Sequence, residues 1–407
     1  MTRSMKVRSL EDLAFVADRT RHILTLFSGG VDSSYLLHVL SRAHCKVTAL
    51  VIDLDEGSDY AELERITNLF GAELRIVDGR SAFVEEAVLP AIHANAQYLG
   101  IYPISSSLSR PIIAKLAVEA AAMLGCDAIV HTANQSQNSL RRLNGALKQL
   151  GFEGYCGSPY EYSALSREEK IEALCAAGLA GFQSRGTSGD ANLWVREYES
   201  GSLDNPEDFV LSEDIYKWTS MDQLRPYEKL AIRFERGRPV ALNDQLLPMI
   251  DLIAKLNHYA GSYQVGRFSG LEHLEGGEKV FEVREAPAAM LLMQGYRHLE
   301  TATLDAELIR EKISLEQIWV REAIEGRWFG GLRAAASSFI EETARQVTGT
   351  VTFRLRAGCA DLACVKAEAP AYLTDRDAWE KTIAHERGTR NLRDQHVDLT
   401  LCQARSA

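Results

Sequence analysis

The stretch "LFSGGVDSSYLLHVL", Leu26 to Leu40, decides the fold. An apolar run ends at Leu26-Phe27, a serine and two glycines turn the chain, and Leu36, Leu37 and Leu40 then recur at helical spacing. Strand, glycine turn and helix in that order make an anion site. Backbone N–H groups at a helix N-terminus point at a phosphate, and glycines let it approach the main chain. The hydroxyls of Ser28, Ser33 and Ser34 add donors, and Asp32 is placed to help hold Mg²⁺ against the phosphates. No Gly-Lys-Ser/Thr occurs anywhere in the chain, so this is not the Walker loop.

Around this stretch, short apolar runs alternate with helix-period segments. Ile23–Phe27, Val47–Ile52, Leu74–Val77 and Ala128–His131 read as strands, and Ala61–Phe70 as a helix stopped by Gly71. A longer helix is expected from Ser109-Arg110-Pro111 to Gly125, with Pro111 near its first turn. Such alternation means βαβ units and a mostly parallel sheet, with ligands beyond the carboxyl ends of the strands. From about residue 173 the texture changes. Gly186–Gly189 reads as loop, and Leu230–Phe234, Gln264–Phe268, Lys279–Val283 and Thr350–Leu355 read as strands. Helices at Leu247–Ala260 and Leu304–Ala323 lie between them. The expected division is a nucleotide-binding domain over 1–172, an α+β domain over 173–364 and a polar tail or arm over 365–407.

The bulk numbers bound the class of protein. The 407 residues are 46% hydrophobic and 25% charged, ordinary for a globular chain. A net charge of −11 disfavours a protein built to grip nucleic acid, which needs clustered Lys and Arg. Seven scattered cysteines without a CxxC pair suit packing thiols in a reducing cytosol, not a zinc site or dithiol. No apolar stretch reaches membrane-span length, so a cytoplasmic protein is expected. Histidines show no ligand spacing, and a protein-bound transition metal is not expected.

The Ser28–Ser34 stretch resembles SGGxDS, the pyrophosphate loop of the ATP pyrophosphatase (adenine nucleotide α-hydrolase-like) superfamily. Further segments resemble the argininosuccinate synthase family in order and spacing: "FVEEAVLPAIHANAQYLGIYPISSSLSRPIIAK" (Phe83–Lys115), "SGDANLWVREYESGSL" (Ser188–Leu203), "EAPAAMLL" (Glu285–Leu292) and "GRWF" (Gly326–Phe329). The resemblance implies a parallel-sheet ATP domain, an α+β synthetase domain and a C-terminal arm in a homotetramer. It also implies the chemistry. A ureido oxygen attacks the α-phosphorus of ATP, pyrophosphate leaves, and an amine displaces AMP. ATP and Mg²⁺ are the implied cofactors and small molecules the partners, with neither nucleic acid nor membrane.

Carried over by position, the resemblance assigns ATP and pyrophosphate to Leu26, Phe27, Ser28, Gly29, Gly30, Asp32, Ser33, Ser34, Ile52, Arg110, His131 and Thr132. It assigns citrulline to Tyr102, Ser107, Arg142, Ser188 and Glu272, with Asn138 between citrulline and aspartate.

Two departures stand out. The family's second loop, close to HGATGKGNDQVR, is here "HTANQSQNSLRR", His131–Arg142. Three glycines become Thr132, Gln135 and Gln137, and the lysine becomes Ser136. The threonine that contacts aspartate becomes Asn134, and the aspartate-binding acid becomes Ser139. Loss of that acid removes a charge-assisted hydrogen bond worth roughly 1.5–3 kcal/mol, about ten- to a hundredfold in affinity. In the other pocket a serine is replaced by Glu197 and a tyrosine by Arg284. Those two could pair with each other, or Arg284 could take a substrate anion as a bidentate fork.

An intact pyrophosphate loop with two altered substrate pockets implies retained activation chemistry and changed partners. The expected function is an AMP-forming carbon–nitrogen ligase that adenylylates a ureido, amide or carboxylate oxygen and delivers an amine other than aspartate. A true argininosuccinate synthase with a drifted loop is the first rival. A nucleotide-binding regulator without catalysis is the second.

Overall fold

The computed structural model describes residues 6–182, 188–220 and 226–387. A six-stranded sheet runs in the order Lys6–Val7, Tyr155–Gly157, Ala128–Val130, His22–Leu26, Lys46–Asp53, Glu73–Asp78, with every pairing parallel. From His22–Leu26 the chain steps outward through the next two strands. It then returns to lay Ala128–Val130 on the opposite side of His22–Leu26. The strand order therefore reverses between these two, and the loops leaving them open a crevice at their carboxyl ends.

Successive residues of these strands feed two cores. Ile23, Ala49 and Val51 pack with Leu36, Leu37 and Leu40 of the helix Val31–Leu40. Leu24, Leu50 and Ile52 pack on the other face with Ile112, Ala117 and Ala121 of the helix Ser106–Leu124. Burial on both faces explains why these strands read as continuous apolar runs. Each fully buried leucine contributes about 1.5–3 kcal/mol.

The remainder is antiparallel sheet and helix. A four-stranded sheet runs Arg267–His273, Lys279–Glu285, Arg196–Glu199, Ser188–Ala191, and a five-stranded one is centred on Glu228–Glu235. The helices Met249–Gly261, Pro287–Thr303, Ala306–Ile324 and Gly331–Ala344 share with the parallel sheet the core that contains Leu24 and Ile52. The two parts are joined through the main chain as well, where Leu193 N–H donates to the Leu54 carbonyl at 2.8 Å.

Several expectations need correction. The long helix begins at Ser106, placing Pro111 inside it. Proline has no N–H, so one intrahelical bond, to the Ser107 carbonyl, is missing. Gln264 has φ +57 and belongs to a turn, and the strand starts at Arg267. Leu304 is extended, and its helix starts at Ala306, capped by Asp305, which accepts from Leu308 N–H at 2.9 Å. Ser188 and Gly189 are strand, while 186–187 lie outside the described residues. Both expected boundaries fall inside elements. Residues 172–173 lie within the helix Arg167–Ala176, whose Leu174 belongs to the parallel-sheet core, and 364–365 lie within the strand Cys359–Ala367. Residues 376–387 of the expected tail are helical, and 388–407 lie outside the described residues. Among the described residues no helix is long and apolar enough to cross a membrane.

Candidate active site

The turn after His22–Leu26 is held by its own side chains. Gly29 has φ +75, which strains any other residue, and a Cβ there would lie 2.4 Å from Leu63 Cδ2 and displace that side chain. The Ser33 hydroxyl donates to the Gly30 carbonyl (3.1 Å) and the Ser34 hydroxyl to that of Gly29 (3.4 Å). Both serines are buried and brace the loop, whereas the sequence reading took them as ligand donors. Gly30 caps the helix Val31–Leu40 without a side-chain bond to its N-terminal amides. Those amides keep their affinity for an anion. Asp32, in the first turn, has its Oδ1 held by Lys170 Nζ at 2.7 Å. Lys170 is buried and also stands 4.2 Å from the Tyr160 ring centroid.

A cleft of about 550 Å³ opens between this loop, the 131–139 loop and the four-stranded sheet. Of the residues assigned to nucleotide, Leu26, Phe27, Ser28, Gly30, Asp32, Ile52, Arg110, His131 and Thr132 line it. Of those assigned to substrate, Asn138, Ser139, Arg142, Ser188 and Glu197 do so. Gly29, Ser33, Ser34, Tyr102, Ser107, Asn134, Glu272 and Arg284 are not among its lining residues.

The altered second loop is an internally bonded turn. Asn134 Oδ1 accepts from Ser136 N–H (3.1 Å) and Oγ (2.7 Å), and Gln137 N–H donates to the Asn134 carbonyl (3.1 Å). None of residues 132–137 has positive φ, so the loop has no conformational need for the glycines it lacks. Ser139 Oγ accepts from Arg110 Nε at 3.0 Å. His131 is buried. Its Nε2 contacts Asn144 Oδ1 at 3.0 Å, and its Nδ1 faces Ala133 N–H at 3.4 Å. Burial lowers its pKa to about 4, so the ring is neutral and both nitrogens hold structure in place.

A buried ion cluster forms part of the cleft wall and continues beneath it. Glu272 Oε1 accepts from Asn138 Nδ2 (2.9 Å) and Arg142 Nη2 (2.6 Å), and its Oε2 accepts from Arg284 Nη2 (2.9 Å) and Tyr102 Oη (3.4 Å). Arg284, 1% exposed, also reaches Glu197 at 2.6 Å and Glu282, and lies 4.1 Å from the Tyr102 ring centroid. Its Nη1 donates to the Pro103 carbonyl at 3.1 Å. Thus Glu197 and Arg284 pair with each other, and the alternative of Arg284 as a fork for a substrate anion fails because its charge is already taken. Burial pushes Glu272 up, but Arg142 and Arg284 outweigh it and hold the carboxyl at about 2. Burial, against the pull of Arg284 and helped by the Glu272 carboxylate, pushes Glu282 up to about 8. Three carboxylates against two guanidiniums leave one negative charge, and a proton on Glu282 removes it.

The sequence reading missed Glu56, Asp190, Glu199 and Glu282, all of which line the cleft. Asp190 accepts from Arg110 Nη2 at 2.5 Å. Burial, with Asp190 nearby, pushes Glu56 up to about 8, and burial with Glu197 pushes Glu199 up to about 7. The alternate residues of "SGDA", "REYE" and "FEVRE" carried the signal, since residues two apart in a strand share a face.

A doubly covered parallel sheet with a glycine anion loop at its switch point defines a HUP-type nucleotide-binding domain of the pyrophosphate-loop kind. Family models match accordingly: an arginosuccinate synthase N-terminal HUP domain over residues 22–179 and an arginosuccinate synthase C-terminal domain over 187–389. The argininosuccinate synthase of Rubrobacter xylanophilus is 34% identical over 87% of this chain and 88% of its own. That of Synechococcus elongatus is 34% identical over 88% and 91%. The chain belongs to the argininosuccinate synthase family, a family of ATP-dependent ligases.

Proposed function

We propose that the protein is an AMP-forming carbon–nitrogen ligase whose substrate pair is not citrulline and aspartate. A ureido, amide or carboxylate oxygen attacks the α-phosphorus of ATP, and the bond from that phosphorus to pyrophosphate breaks. An amine then attacks the activated carbon, the C–N bond forms and AMP leaves, while the amine proton passes to water. The loop Ser28–Gly30 and the helix amides behind it would hold the departing pyrophosphate, where pre-set dipoles stabilise developing charge. Arg110 and Ser139 would orient the reactants in line. A magnesium ion brought with ATP would be held mainly by phosphates. At the loop Asp32 would be its carboxylate, with Oδ1 already held by Lys170.

One observation carries the changed pair. Arg284 covers Tyr102 and holds Oε2 of Glu272, two residues assigned to citrulline by resemblance, and neither is among the cleft-lining residues. The rival reading, a true argininosuccinate synthase, is favoured by the retained Tyr102, Ser107, Asn138, Arg142, Ser188 and Glu272 and by the named relatives.

The test is purified protein with Mg-ATP and a panel of ureido compounds, amides and carboxylates crossed with amines, with pyrophosphate and products measured. Argininosuccinate formed at a brisk turnover would overturn the changed-pair reading. AMP and pyrophosphate formed only with another pair would support it. ATP binding without AMP under every combination would point to a regulator.

A further inference from the structure

Asp32 is an acid inside an anion site. It stands in the first turn of the helix Val31–Leu40, its side chain is 35% exposed, and it lines the cleft beside Ser28 and Gly30. Left to itself, that carboxylate would repel a pyrophosphate, because like charges at close range in a partly dry site interact strongly. A magnesium ion shared between carboxylate and phosphates is one way to remove the repulsion.

This chain brings a second cation from within. Lys170 comes from the helix Arg167–Ala176, and its Nζ donates to Asp32 Oδ1 at 2.7 Å. The lysine side chain is 6% exposed, so salt and water screen the pair little. Its ammonium also lies 4.2 Å from the centroid of the Tyr160 ring, whose face offsets part of the cost of burial. The Tyr160 hydroxyl in turn donates to the Asp32 main-chain carbonyl at 3.0 Å. Both polar ends of Asp32 are thus held.

The helix that carries the lysine is itself anchored. Ser166 and Glu169 close a capping box at its start, at 2.7 and 3.1 Å, and Leu174 is buried with Val31 and Leu37 of the loop's own helix. Lys170 is not among the cleft-lining residues. It reaches a ligand through Asp32 and not by contact.

We propose that Lys170 is a positioning residue that stands in for a metal ion at the anion loop. It cancels the Asp32 carboxylate and occupies Oδ1, so the loop takes pyrophosphate without relying on a magnesium bridge to Asp32. The inference rests on the reading of Ser28–Ser34 as the pyrophosphate site, and not on which substrates are joined.

The test is calorimetric titration of the full-length protein with inorganic pyrophosphate, once in EDTA and once with excess magnesium. The native protein should bind the metal-free ion within about threefold of its magnesium form. Lys170→Met should weaken both, the metal-free ion at least about tenfold more than the magnesium form, since a metal can then bridge the bared carboxylate to the phosphates. Lys170→Arg, which keeps the charge, should behave as the native protein does. Asp32→Asn combined with Lys170→Met should recover metal-free binding to within about threefold of native, because no acid is left to cancel. A lysine that merely braced the fold would leave this double variant as weak as Lys170→Met, and that result would overturn the proposal. So would native binding that depends on magnesium as steeply as that of Lys170→Met, or no pyrophosphate binding in either condition. Binding as expected, with no AMP formed across the substrate panel, would leave this inference standing and remove the ligase reading. AMP formation by a protein whose native pyrophosphate binding is steeply magnesium-dependent would do the reverse.

Discussion

Glu197 and Arg284 stand opposite one another on neighbouring antiparallel strands, and their side chains meet at 2.6 Å with the guanidinium sealed from water. Neither residue is understood alone. Arg284 without its acids is a buried, unpaired charge, and the acids without Arg284 repel one another across the sheet.

Removing Arg284 singly is therefore expected to be costly. Arg284→Tyr should destabilise the protein by about 3–5 kcal/mol in urea unfolding, the usual penalty for breaking a buried pair from one side. Glu197→Ser with Arg284→Tyr should cost less than the sum of the two single changes, with a coupling of about 0.5–3 kcal/mol. The double variant should also begin to form AMP with citrulline, because Tyr102 and Glu272 regain the cleft. Strictly additive single effects would contradict the coupled pair.

Lys170 neutralises the one acid of the anion loop, the Asp32 carboxylate. In Lys170→Met that acid would face the incoming phosphates unpaired, and the KM for ATP should rise by about tenfold or more, at least about 1.4 kcal/mol. Lys170→Arg should restore most of the affinity. A Met variant with normal ATP affinity would show that Asp32 lies outside the phosphate field.

Gly29 tests the loop itself. Gly29→Ala forces φ +75 on an alanine and drives its methyl against Leu63. The expected result is about 1–2 kcal/mol of lost stability from the backbone alone, with ATP binding abolished in a titration. Gly71, also at positive φ but with open space beside it, is the control, since alanine there should leave nucleotide binding unchanged.

Glu56 makes stability depend on pH. Its folded carboxyl, pushed up to about 8 by burial and Asp190 against Arg110, with Asp53 adding to the rise, lies above its ordinary value of 4.5. The unfolded chain releases this proton first as pH rises. Stability from this group is thus full below about 4.5 and lost as pH climbs through about 8. The ligand-free protein should melt at progressively lower temperature from pH 6 to 8.5, and Glu56→Gln should flatten that slope. Parallel melting curves for the two proteins would reject the shift.

Much of the fold was legible in the chain because its signals are local. The glycine at positive φ, the apolar runs of the parallel strands and the stop at Gly125 each follow from a few adjacent residues. The long helix was misread at its start because Pro111 mimics a first-turn signal, and the true N-cap, Ser105, is one of three consecutive serines that do not by themselves fix the start. The helices Pro287–Thr303 and Gly331–Ala344 escaped the sequence reading of elements altogether.

The sequence by itself determined the anion loop, the alternation that builds the parallel sheet, and the family. It also showed that Glu197 and Arg284 depart from the family pattern. Only the tertiary structure decided that the two face each other, that Glu272 and Tyr102 are closed off behind them, and that Glu56, Asp190, Glu199 and Glu282 share one cleft. The reason is physical. A loop's conformation depends on its own residues, but the charge balance of a pocket depends on strand register. That register brings together residues separated by more than eighty positions, and here it leaves the acids in excess.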